Sequence, residues 1–162
     1  MNRIAAAFIS VVLLAAASAS AQSDKPDAKN SVVIQDCIKT KTGRHWNWEN
    51  CIGIISEVCA KDEASMPPQE VMACYTREQT VWDDILNESF RRLREALDDK
   101  QQRKLREMQR AWIASRDKTC GFIYDYFEGS VANPMIAACL SRATGMQALF
   151  LRGFADDVAE RK

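Results

Sequence analysis

The chain predicts an all-α fold: an antiparallel bundle of three long helices, preceded by two short helices stapled on by disulfides. Apolar residues recur at helical spacing from residue 68 to residue 158. Helix-ending residues punctuate that pattern at Pro67-Pro68, Asp98-Asp99, Gly129 and Asn133-Pro134. No strand-like alternation or hairpin signal competes with it.

The elements follow in order. Residues 1–21 have the layout of a secretory signal peptide. Arg3 supplies a positive start, Ile4 to Ala17 is an apolar run, and Ala19-Ser20-Ala21 is a small-x-small site, so cleavage is expected after Ala21. The run is short for a membrane span, and no later stretch is apolar enough for one. Residues 22–30, QSDKPDAKN, are polar and are expected to be a flexible leader to a single domain over 31–162. SVVIQDCIKT (31–40) predicts a short helix with Ser31 as its cap. KTGRHWNWEN (41–50) reads as a loop around Gly43, and CIGIISEVCAKD (51–62) as a second short helix.

A long helix is predicted from Pro68 to Leu97, because proline suits a first helical position where its missing N–H would be unpaired anyway. Val71, Tyr75, Trp82, Ile85, Leu86, Leu93 and Leu97 mark its apolar face. The next helix is predicted from Lys100 to Phe127, with Leu105, Met108, Trp112, Ile113, Cys120, Ile123 and Phe127 inside and Gly129 beyond its end. Asn133-Pro134 is read as the cap and first turn of a last helix to Val158, with Ile136, Leu140, Phe150, Leu151 and Phe154 as its apolar side.

Composition narrows the function. Removing Arg3 with the signal peptide leaves 22 − 1 = 21 basic against 22 acidic residues in a mature chain of 162 − 21 = 141 residues. A balance of about −1 argues against nucleic acid as a partner. The six cysteines all lie in the mature part. An even count in an exported chain reads as disulfides, for which 15 connectivities are possible. Sequential pairing is expected: Cys37–Cys51, Cys59–Cys74 and Cys120–Cys139, each closing a short loop and stabilising by about 3 kcal/mol. With one histidine and no C-x-x-C pair, no metal site or other cofactor is expected. No serine-hydrolase elbow, P-loop or H-E-x-x-H is present, so no catalytic residues are assigned and the protein is not expected to be an enzyme.

REMQRAWIASRDKTC (106–120) places Gln109, Trp112, Arg116 and Cys120 on one helical stripe. Polar groups on an apolar stripe need partners, because a buried unpaired charge is costly. Glu78 lies on the apolar face of the preceding helix between Tyr75 and Trp82. The expectation is a polar lock that sets helix register, built from Glu78 or Asp83 with Arg116 and Gln109, with Asp117 beside it.

REQTVWDDILNESFRRL (77–93) followed by LREMQRAWIASRDKTC (105–120) resembles the LprI-type lysozyme inhibitor domain. The resemblance rests on Cys74, Leu86-Asn87, Phe90, Leu105, Gln109, Ala111-Trp112, Arg116-Asp117, Cys120, Cys139 and Thr144, and spans roughly residues 70–152. Gln147 stands where the family usually has arginine, and Phe90 where tyrosine is common. Cys37, Cys51 and Cys59 fall outside the core pattern. The resemblance implies an all-helical periplasmic or secreted protein that binds and inhibits lysozyme or a related peptidoglycan-cleaving enzyme.

The contact candidate lies outside that pattern. The loop between Cys37 and Cys51 carries Arg44, His45, Trp46 and Trp48. Arginine and tryptophan are common interface anchors, and a disulfide-closed loop loses little entropy on binding. In the alternative reading both tryptophans pack onto the bundle. An alternative function is a non-enzymatic envelope module that recognises an anionic glycan or lipid. It would use the basic residues Arg91, Arg92, Arg94, Lys100, Arg103, Lys104, Arg106 and Arg110.

Overall fold

The computed structural model describes residues 27–40 and 48–161. The signal peptide, the cleavage site and the first residues of the leader therefore lie outside the described residues, as do Lys41, Arg44, His45 and Trp46. Among the described residues there are five α-helices: α1 (Ala28–Thr40), α2 (Ser56–Cys59), α3 (Pro68–Ala96), α4 (Asp99–Phe127) and α5 (Gly129–Glu160). Among the described residues no strand occurs, and none of their helices is long and apolar enough to cross a membrane.

α1 starts earlier than expected. Asp27, not Ser31, caps it: the Asp27 carboxylate accepts the Lys29 N–H at 2.9 Å, and Ser31 already donates its backbone N–H to the Asp27 carbonyl at 3.0 Å. Residues 28–30, expected in the flexible leader, are thus helical. Ile34 and Ile38, one turn apart, are the only residues of α1 that are fully buried, and Val32 and Val33 stay exposed. That narrow stripe is enough to seat a short helix.

The expected helix over 51–62 is broken. A 3-10 turn covers Trp48–Cys51, the chain then turns through Gly53 at φ 101°, and α2 holds only four residues. Disulfides Cys37–Cys51 and Cys59–Cys74 fasten this stretch to α1 and α3, with Cα separations of 5.8 and 5.5 Å. Cys120–Cys139 ties α4 to α5 at 5.6 Å.

α3 carries Val71, Cys74, Val81, Trp82, Ile85, Leu86 and Leu93 into the core. Asp98 and Gln101 form a reciprocal capping box that starts α4, with bonds of 2.8 and 3.1 Å. α4 meets α5 through an abrupt joint in which Glu128 takes φ 49°. The expected cap at Asn133-Pro134 does not form, because α5 already starts at Gly129. Pro134 sits in its second turn, where it removes a single backbone bond.

Residue pairs give the directions. Arg92 reaches Asp156, 64 residues away, and Trp82 faces Gly145, 145 − 82 = 63 residues away. A constant difference means that α3 and α5 run parallel. Gln109 meets Gln147 and Cys120 meets Cys139, so α4 runs antiparallel to α5 and hence to α3. α5 is the central helix: α3 packs along it, and α4 rests chiefly on α5 and little on α3.

The face of α5 turned to the core is lined mainly by small residues: Ala137, Ser141, Thr144, Gly145, Ala148 and Ala155, with Leu151. Small side chains let the helices approach closely. At Gly145 an added Cβ would come within 3.0 Å of Ile52 and 3.3 Å of Trp82. Gly145→Val is expected to destabilise the oxidised protein by about 2 kcal/mol through overpacking, read as a lower urea midpoint.

Tyr75 stands beside α2. Burial, with Glu63 and Glu57 nearby, raises its phenol above the ordinary value of 10.0. The native state therefore holds that proton more tightly than the unfolded chain. The resulting stability is complete below about pH 10 and is lost as pH rises through the native value. Tyr75→Phe is expected to flatten that part of the alkaline decline, measured by thermal melting from pH 9 upward.

Candidate functional site

The turn that presents Trp48 is organised by one buried carboxylate. Glu78 is fully buried. Its Oε1 accepts the Gly53 N–H at 2.6 Å and the Trp82 indole N–H at 2.9 Å, and its Oε2 accepts the N–H groups of Ile55 and Ser56 at 3.0 and 2.7 Å. Four donors satisfy the two carboxyl oxygens, and no cationic side chain pairs with them among the described residues. The same bonds explain why residues 51–62 do not form one helix: three of their backbone N–H groups turn toward α3. Gly53 is required at the bend, since its φ is positive and a Cβ there would collide with the Glu57 side chain.

The expected polar lock is therefore corrected. Arg116 does not meet Glu78 or Asp83. Its guanidinium donates to Asp117 at 2.8 and 2.9 Å and lies 4.9 Å from the centroid of the Trp112 ring. Asp83 accepts from Asn87 instead. Gln109 is buried and accepts a 2.9 Å bond from Gln147. The stripe on α4 thus resolves into a cation–π and ion pair at its edge and a neutral amide pair against α5.

Trp48 is half-buried, so it is not an exposed loop tip. Its ring lies over Gly153 of α5, where a Cβ would come 3.2 Å from its Cζ3. Beside it the outer face of α5 is apolar: Met146, Phe150 and Phe154, at i, i+4 and i+8, are 41%, 58% and 41% exposed. Trp48 and this stripe bound an open groove of about 390 Å³. Two exposed carboxylates, Glu49 and Asp157, also line it, and among the described residues no basic side chain does.

Sequence reasoning placed Phe150 and Phe154 inside the bundle, and also Ile113 and Phe127 of α4, which are 41% and 45% exposed. The available signal was the row of small residues on α5, which marks the packed face better than its largest side chains do. Among the described residues, no cluster of three histidine, cysteine or acidic side chains could hold a metal ion.

These elements define a disulfide-stapled, all-helical domain that exposes an apolar groove beside its N-terminal turn. The chain belongs to the LprI lysozyme inhibitor family: the family model, described as Lysozyme inhibitor LprI, matches residues 59–151. No curated protein and no solved structure matches the chain. The matched stretch starts at Cys59, so the Cys59–Cys74 bridge lies inside the family region, contrary to the expectation for Cys59. α1, the Trp48 turn and the end of α5 lie outside it.

Proposed function

We propose that the protein is exported and inhibits lysozyme, using the groove between Trp48 and the outer face of α5 as its contact surface. Membership of an inhibitor family supports the activity, and three disulfides fit an oxidising compartment such as the periplasm or the exterior. The observation that carries the contact surface is the pairing of exposed aromatic anchors with a carboxylate rim. Phe150 and Phe154 offer apolar area, while Glu49 and Asp157 suit a basic enzyme surface. Arg44, His45 and Trp46 precede Trp48 in the chain and are proposed to join the contact. The Arg44 charge suits the two carboxylates of a glycosidase cleft.

The test is a peptidoglycan-lysis assay with the oxidised mature protein, titrated against animal and bacterial lysozymes. Stoichiometric inhibition that weakens with added salt is the expected result. Absence of inhibition against every enzyme at large excess overturns the proposal.

A further inference from the structure

The joint between α4 and α5 carries a run of exposed rings. Phe122 and Tyr126 are 66% and 76% exposed, and Tyr124 and Phe127 are 51% and 45% exposed. Val131 and Met135, one turn apart on α5, continue the apolar surface and line an open groove of about 440 Å³ with Met66, Pro68 and Val71. Apolar side chains exposed singly need no explanation, but this concentration at one joint forms a patch.

Helical geometry sets where the rings point. Cys120 is buried and bonded to Cys139, so its side of α4 is the one turned to α5. At about 100° per residue, Phe122 and Tyr126 lie together on the far side from Cys120. Tyr124 and Phe127 fall to the two flanks of the Cys120 side, yet both remain about half exposed. The rings therefore point to every side of the tip. The Cys120–Cys139 bridge lies behind them and ties the two helices together, so the surface is preorganised.

Area and shape select the partner. Four rings at these exposures present roughly 450 Å². A stable contact with a second copy takes about 800 Å² from each partner. A flat protein face would also reach only one side of the tip. A lipid interface is fluid and closes round all sides, and aromatic side chains favour the headgroup level of a bilayer. Phe122 lies five residues before the end of α4, or about 8 Å along its axis. An end-on approach to that depth immerses all four rings, within the usual reach of interfacial elements. Charge selects the kind of lipid. Between Lys118 and Arg142 the chain has two acidic residues, Asp125 and Glu128, and no basic one. Anionic headgroups therefore gain nothing here.

We infer that the α4–α5 tip docks on a membrane surface with zwitterionic headgroups, with Phe122, Tyr124, Tyr126 and Phe127 entering the interfacial layer. Val131 and Phe150 are about 28 Å apart along α5, so a docked tip leaves the Trp48 groove open to a partner. The inference goes beyond the inhibitor reading and does not rest on it. It uses none of the basic residues between Arg91 and Arg110.

The test is flotation of the oxidised mature protein with phosphatidylcholine vesicles. Half of the protein is expected to float with the vesicles by about 1 mM lipid, within about tenfold of a single acyl anchor. Adding phosphatidylglycerol or raising the salt leaves that value unchanged. Phe122→Ala/Tyr126→Ala weakens it about tenfold or more, with melting close to that of the parent because both rings are on the surface. Phe150→Ala/Phe154→Ala floats like the parent, which keeps the tip distinct from the proposed inhibitor surface. No flotation at about 10 mM lipid, or equal flotation of the tip variant, overturns the inference. Binding that requires phosphatidylglycerol and fades with salt also overturns it, and assigns the contact to the Arg91–Arg110 charges. A parent that sediments as a dimer, and as a monomer once the tip is substituted, gives the patch to a second copy instead.

Discussion

Glu78→Ala lowers the stability of the oxidised protein by about 4 kcal/mol, seen as a reduced urea midpoint at an unchanged slope. The substitution leaves the N–H groups of Gly53, Ile55 and Ser56 and the Trp82 indole without their acceptor, at a site shielded from water. Glu78→Gln is expected to do little better. Each carboxylate oxygen accepts two donors, so either orientation of an amide turns an NH2 group toward two N–H groups. Glu78→Asp keeps the charge but shortens the reach by one methylene. A loss below about 1 kcal/mol for the alanine variant would mean that the two N-terminal disulfides alone hold the turn against α3.

Phe150→Ala/Phe154→Ala weakens lysozyme inhibition by roughly 100-fold, about 3 kcal/mol, while melting stays close to that of the parent. The two effects separate because both rings are largely on the surface, at 58% and 41% exposure, so their truncation leaves no core cavity. Glu49→Lys/Asp157→Lys acts on the same contact by another route, slowing association most at low salt. Inhibition that survives the double alanine variant would leave the activity standing and move the contact surface away from the groove. Trp48 is a poorer probe, because its ring also packs against the core and Gly153.

The long helices were legible because their causes are local. A proline at the start of α3, the Asp98 cap of α4 and apolar spacing within each segment need no partner to be recognised. The start of α5 was misread for a related reason. Asn133-Pro134 is a sound local start signal, but the chain had already re-entered a helix through the positive φ of Glu128. The faces of α4 and α5 were read from residue size, which put Phe150, Phe154, Ile113 and Phe127 inside. The packed face of α5 is instead its small one, since close approach to Trp82 and Ile52 requires Gly145.

The sequence by itself determined an all-helical chain, three long helices and family membership, because helical periodicity and a spaced residue pattern are properties of a segment read alone. Only the tertiary structure decided which polar residues meet and which apolar ones remain outside. Glu78 bonds to backbone 22 to 25 residues earlier in the chain. Gln109 pairs with Gln147, 38 residues later. Such pairings depend on the register between helices. Register is set by the sum of many packing contacts across an interface, and no single segment carries it.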